Sequence, residues 1–188
     1  MKRKMIVAIL FLTAAVLCLC QFDLSSSLKE AKAESTVHSL FPSEWRQSSS
    51  PDKMGRGTIK MAQRDSLTLL NFGFPYAGPQ QAVLTLRIHP AHGKDVMLMI
   101  TRGQFIVSPF GTKINVRFDE GKLMKFLVRG SASYDSTIVY IDDYKRFIAH
   151  LKKSQKLKIE ALFYQEGNQT IEFDVSGLKW PPPSDGGE

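Results

Sequence analysis

Between Leu157 and Val175 the side chains alternate with a period of two. Leu157, Ile159, Ala161 and Phe163 interleave with Lys158, Glu160, Leu162 and Tyr164, and Ile171, Phe173 and Val175 return opposite Glu172 and Asp174. This alternation turns one face to a core and the other to water, the signature of a half-buried β-strand. Glu166-Gly167-Asn168-Gln169 supplies turn residues between the two runs, so the segment predicts an antiparallel hairpin. The fold has to be built around a sheet.

Similar runs precede it. Val83–Ile88 leads into His89-Pro90-Ala91-His92-Gly93-Lys94, and Asp95–Ile100 follows, a hairpin with a long loop. Gln104–Ser108 reads as a short strand. In Ile114–Phe118 the residues Ile114, Val116 and Phe118 point inward, and Asp119-Glu120-Gly121-Lys122 turns the chain into Leu123–Val128. A loop over 129–136 precedes Thr137–Ile141.

The period then changes. Asp142 or Asp143 caps a helix that puts Tyr144, Phe147, Ile148 and Leu151 on one face and Lys145, Arg146, Lys152 and Lys153 in water, with His150 at the border. Acids at its start and lysines at its end both suit the helix dipole. Seven or more strands with one helix in the C-terminal third predict a mainly β fold, an antiparallel sandwich or open barrel closed at one end or edge by that helix.

The N-terminus has a different character. Lys2, Arg3 and Lys4 precede an apolar run from Met5 to Cys20 broken only by Thr13, the layout of a secretory signal. Three fates fit. Ala31-Lys32-Ala33 has the small-x-small form of a cleavage site before Glu34; Cys18 and Cys20 offer a lipidation site, although each follows a leucine; and the run, extended by Gln21 and Phe22, could stay as an anchor through residues 1–22, falling short of the ~20 apolar residues that span a bilayer. All three place the body outside the cytoplasm, in the periplasm or cell envelope. The chain divides into a signal or anchor over 1–33, a Ser-rich linker over 34–56, a β-rich domain over 57–180 and a flexible tail over 181–188.

Both cysteines, Cys18 and Cys20, lie in the export segment, so the body has no disulfide, thiolate nucleophile or cysteine metal ligand. Residues 1–33 hold five basic and two acidic residues; without them 20 basic face 16 acidic, a net charge of +4. That mild excess, with no aromatic ladder between the cations, argues against nucleic acid as a partner.

Motifs for catalysis are weak. No Gly-x-Ser-x-Gly elbow is present, and Ser-x-x-Lys at Ser26/Lys29, Ser50/Lys53 and Ser176/Lys179 lacks its companion motifs. His89 and His92, with Asp95 near, form the one candidate metal pair, short of the three or four ligands zinc takes. Asp119-Glu120 and Asp142-Asp143 are adjacent acids that a turn and a helix cap explain without general acid–base work. Gly55 and Gly57 flank Arg56 without a phosphate-binding context. No catalytic, metal or cofactor residues are assigned, and no cofactor is expected.

The cationic stripe Lys145, Arg146, Lys152, Lys153, Lys156 and Lys158 fits an anionic polymer, lipid headgroups or an acidic partner protein. The candidate partner-binding residues are therefore Lys145, Arg146, Lys152 and Lys153, with Trp45 and Trp180 as anchors of the chain ends.

Several segments carry a resemblance: Phe74-Pro75-Tyr76-Ala77-Gly78, Leu84-Thr85-Leu86-Arg87, Gly103-Gln104-Phe105, Val116-Arg117-Phe118-Asp119, 159–165 (Ile-Glu-Ala-Leu-Phe-Tyr-Gln) and 173–180 (Phe-Asp-Val-Ser-Gly-Leu-Lys-Trp). The stretch from Phe74 to Trp180 resembles a family of small exported bacterial proteins associated with mobile elements and with envelope or secretion functions. The resemblance implies one exported β domain and supplies no catalytic residues. It also implies a lost disulfide, since relatives carry cysteines where this chain has Val107 and Thr112. The expectation is a non-enzymatic envelope protein, an accessory or binding module for other envelope proteins. Two alternatives are a lipid-tethered inhibitor or exclusion factor, and a metal-dependent envelope hydrolase using His89, His92 and Asp95.

Overall fold

The computed structural model describes residues 44–182. The expected signal or anchor over 1–33, the membrane attachment through 1–22 and most of the 181–188 tail lie outside the described residues. Nine strands form one antiparallel sheet: β1 (Arg46–Pro51), β2 (Thr58–Phe72), β3 (Gly78–His89), β4 (Gly93–Ile100), β5 (Thr112–Phe118), β6 (Met124–Gly130), β7 (Ile138–Ile141), β8 (Lys156–Phe163) and β9 (Gly167–Asp174). One helix, α1 (Tyr144–Leu151), lies between β7 and β8. The spatial order is β1-β2-β3-β4-β7-β6-β5-β8-β9. This is the mainly β fold with one helix in the C-terminal third that the periodicities predict, and the sheet is open.

The sheet curls until β2 lies against β9, but no main-chain ladder closes it. Side chains bridge the seam instead. Arg64, 2% exposed, places Nη2 3.0 Å from Asp174 Oδ2, and its Nε donates to the Asp174 main-chain oxygen at 2.5 Å. Its Nη1 has no partner among the described residues, so the guanidinium is held through two of its three nitrogens. Thr68 Oγ1 accepts the Glu172 N–H at 3.0 Å.

Inward residues follow the alternation. Ile114, Val116 and Phe118 on β5, Leu157, Ile159, Ala161 and Phe163 on β8, and Ile171 and Phe173 on β9 are all buried. Antiparallel pairing sorts the turns to two ends. The β1–β2, β3–β4 and β5–β6 turns share one end with α1; the β2–β3 and β8–β9 turns and the 101–111 and 131–137 loops share the other. Each end is plugged by aromatic rings: Phe118, Phe126 and Phe147 under the helix, with centroids 5.3–6.3 Å apart, and Phe72, Phe105 and Phe163 under the loops, at 4.5–5.2 Å.

Five segments differ from the sequence reading. Residues 46–51, read as part of a linker, form the edge strand β1, whose six residues are all exposed; with neither face buried, they carry no alternation to detect. β2 goes unassigned in the sequence because Arg64 and Ser66 occupy buried positions and its register shifts between Asp65 and Leu69, which breaks the apolar rhythm. Gln104–Ser108 is no strand; it makes a single bridge, Phe105 to Phe163. The two hairpins are tighter than expected, with only Pro90-Ala91-His92 between His89 and Gly93, and with Tyr164-Gln165-Glu166 before Gly167.

Candidate partner-binding surface

α1 starts at Asp143, whose left-handed backbone (φ 59°) turns the chain and whose Oδ1 accepts the Arg146 N–H at 3.3 Å. Phe147, Ile148 and Leu151 bury its inner face. It ends where the Lys153 N–H, at 3.0 Å, and Ser154 Oγ, at 2.9 Å, both donate to the His150 carbonyl in the last turn. Lys145, Lys152 and Lys153 are exposed, and His150 stacks on Phe118 at 5.2 Å.

Arg146 is used by the fold. Its guanidinium sits 4.2 Å from the centre of the Phe126 ring, donates to the Lys125 carbonyl at 2.9 Å and pairs with Asp143 at 3.0 Å. These contacts fasten α1 to the start of β6, which follows directly on the β5–β6 turn that carries Lys122 and Leu123. The β5–β6 turn is fixed from the other side by Asp119, whose Oδ1 accepts the N–H groups of Gln155 at 2.9 Å and Lys156 at 2.8 Å. The Lys156 and Gln155 amides, in that order, hold the Asp119 carboxyl below its ordinary value.

The carboxylates of this region are all engaged. Glu120 pairs with Arg117 at 2.8 Å and Asp142 with Arg129 at 2.8 Å, while Asp143 and Asp119 are held as above. The adjacent acids Asp119-Glu120 and Asp142-Asp143 thus serve separate partners. Lys122, Lys125, Lys145, Lys152 and Lys153 are exposed and form no ion pair with any described residue. Leu123 stands 63% exposed between the first two. Lys122, Leu123 and Lys125 were missed in the sequence because a turn has no periodicity to mark which side chains join a helix face.

Trp180 is 4% exposed and donates from Nε1 to Tyr144 Oη at 2.7 Å; burial raises the Tyr144 phenol above its ordinary value, and this bond partly opposes the rise. Trp45 is half-buried and donates to the Val175 carbonyl at 3.3 Å. Both indoles anchor chain ends to the domain, which leaves the lysines as the open part of the candidate set.

The histidine pair lies at the same end, in the β3–β4 turn, with ring centroids 4.4 Å apart. His89 Nδ1 accepts the Ala91 N–H at 3.0 Å, and desolvation, then the charges of His92 and Arg87, hold its imidazole below the ordinary value. Asp95 is taken by Arg87, at 3.0 Å and 2.6 Å from Nε and Nη2. Among the described residues no three His, Cys, Asp or Glu side chains are grouped to hold a metal. At the opposite end, Phe105, Val107, Pro109, Tyr134 and Ile138 line an open groove of about 500 Å³, flanked by Phe110 (94% exposed).

No family model and no curated protein matches the chain. Among solved structures, the crystal structure of invasion associated protein b from Bartonella henselae is similar at 16% identity and a TM-score of 0.43, covering 71% of this chain and 85% of that one.

Proposed function

We propose that this chain is an exported protein of a bacterial cell envelope that acts without catalysis, as an accessory or binding module associated with a secretion or conjugation system. Its working surface is the lysine face built by α1 and the β5–β6 turn, and its partner is an anionic component of the envelope. One observation supports this most: every carboxylate named around the face is paired with an arginine or hydrogen-bonded by backbone amides, while the five lysines project without an ion-pair partner among the described residues. Uncompensated exposed charge of one sign contributes little to folding and favours long-range attraction of an oppositely charged surface. The N-terminal apolar run supports export.

The test is charge reversal at Lys152 and Lys153. In crosslinked envelopes, with the protein at its native level, the double variant Lys152→Glu/Lys153→Glu is expected to lower the fraction of chain recovered in envelope complexes while leaving the Tm unchanged. Undiminished recovery would remove the lysine face from the account. The intact mass of the same material separates cleavage before Glu34, a lipidated cysteine and a retained anchor.

A further inference from the structure

The lysine face has two properties that select among anionic partners. Its cations are lysines, because the arginines beside it, Arg117 and Arg146, are each locked in fixed pairs. Arginine presents a planar fork that reads one carboxylate in one geometry, whereas lysine is a point charge on a flexible stem that adapts to charges at no fixed position. A face of free lysines therefore matches a laterally mobile field of negative charge better than a docked protein.

The second property is Leu123. It is 63% exposed at a turn whose backbone is pinned by the Gly121 N–H to Phe118 carbonyl bond at 2.9 Å and by Arg117 Nε on the Gly121 carbonyl at 3.1 Å. The turn is thus a rigid support that presents one apolar side chain between Lys122 and Lys125. A purely electrostatic contact with a hydrated polymer gives such a leucine no place to bury. The headgroup–acyl boundary of a bilayer does, with basic residues around it resting on anionic headgroups.

From this we infer that the face formed by Lys122, Leu123, Lys125, Lys145, Lys152 and Lys153 docks on an anionic lipid bilayer, with Leu123 entering the headgroup–acyl boundary. The inference rests on the proposed role of the lysine face and specifies its partner. Each lysine near an anionic membrane strengthens binding roughly fivefold, an effect that fades with salt.

The experiment uses the full chain and sedimentation with vesicles of phosphatidylcholine alone or with phosphatidylglycerol. Residues 5–20 accompany every variant, so the quantity read is the ratio of binding to anionic over neutral vesicles. The wild-type ratio is expected to exceed one clearly and to fall toward one as salt rises. Lys122→Glu is expected to lower it at least about fivefold. Lys113→Glu, the same charge change at an exposed position of β5 at the other end, is expected to leave it nearly unchanged. Leu123→Ser is expected to weaken anionic-vesicle binding without altering the salt dependence. A wild-type ratio of one overturns the inference, as does equal loss for Lys113→Glu and Lys122→Glu, which would reduce the effect to net charge. If the ratio is one while Lys152→Glu/Lys153→Glu still lowers recovery in envelope complexes, the membrane is refuted and the lysine face stands as a surface for an anionic protein or polymer. If both readouts are indifferent to the lysines, the proposed role of the face falls as well.

Discussion

The two ends of the curled sheet are built alike inside and differently outside. Under α1, Phe118, Phe126 and Phe147 form the plug; under the loops, Phe72, Phe105 and Phe163 do the same. Outside, the helix end shows lysines around Leu123, with Met54 exposed on the β1–β2 turn, whereas the loop end shows the aromatic rings of Phe74, Phe110 and Tyr134, each at least 88% exposed, beside a groove. The comparison separates what holds the molecule together from what it presents. Aromatic plugs stabilise both ends by burial, with edge-to-face ring contacts under the helix and tilted ones under the loops, and the outer layers are free to diverge.

The largest expected effects come from breaking the plugs. Phe147→Ala and Phe163→Ala, both in fully buried rings, are each expected to lower unfolding stability by about 3–5 kcal/mol in denaturant titrations. They should differ in a second readout. Phe147→Ala also undocks α1 and should lower envelope recovery below the unfolding temperature, while Phe163→Ala should leave it unchanged; equal loss would merge the two ends functionally.

A smaller effect is expected at Gly103, beside the loop-end plug. Its φ of 131° disfavours any side chain, and an added Cβ would sit 2.6 Å from Phe72 Cε2. Gly103→Ala should cost about 1–3 kcal/mol and shift near-ultraviolet ring signals, without touching vesicle binding. At the helix end the matching probe is pH. Asp119 titrates below its ordinary 3.8, so its bonds stabilise the folded chain above about pH 4 and lose that effect as pH falls through the lowered value. Asp119→Asn keeps an acceptor for the two amides but removes the titration, and the acid-side fall of Tm should become shallower; an unchanged profile would show that Asp119 does not set it.

The smallest effect belongs to the exposed rings. Phe110→Ser and Tyr134→Ser, at positions 94% and 95% exposed, should each change stability by less than about 0.5 kcal/mol. A larger loss would place these rings in the fold rather than on its surface.

Much of the helix end was legible in the sequence. The 3.6-residue spacing of Phe147, Ile148 and Leu151 and the acids at 142 and 143 give α1 its inner face and two candidate caps, of which the structure uses Asp143, and period two gives β5 and the β8–β9 hairpin. What stayed hidden depends on contacts distant in sequence. Arg64 inside β2 reads as a solvent residue until Asp174, 110 positions away, meets it across the seam. β1 has no buried face at all. The site divides in the same way. Lys145, Lys152 and Lys153 follow from helical spacing, but Arg146 looks like a fourth surface cation until Phe126 and Lys125 are seen to claim it, and Lys122, Leu123 and Lys125 join the face only through that contact.

The central claim is that the helix end, not the loop end, meets the envelope. Lysine acylation footprinting on intact envelopes, compared with the purified chain, tests it whatever the partner's chemistry. The account predicts that Lys122, Lys125, Lys145, Lys152 and Lys153 are protected in the envelope while Lys113, at the loop end, reacts equally in both samples. Uniform reactivity at all six, or protection confined to Lys113, would contradict it.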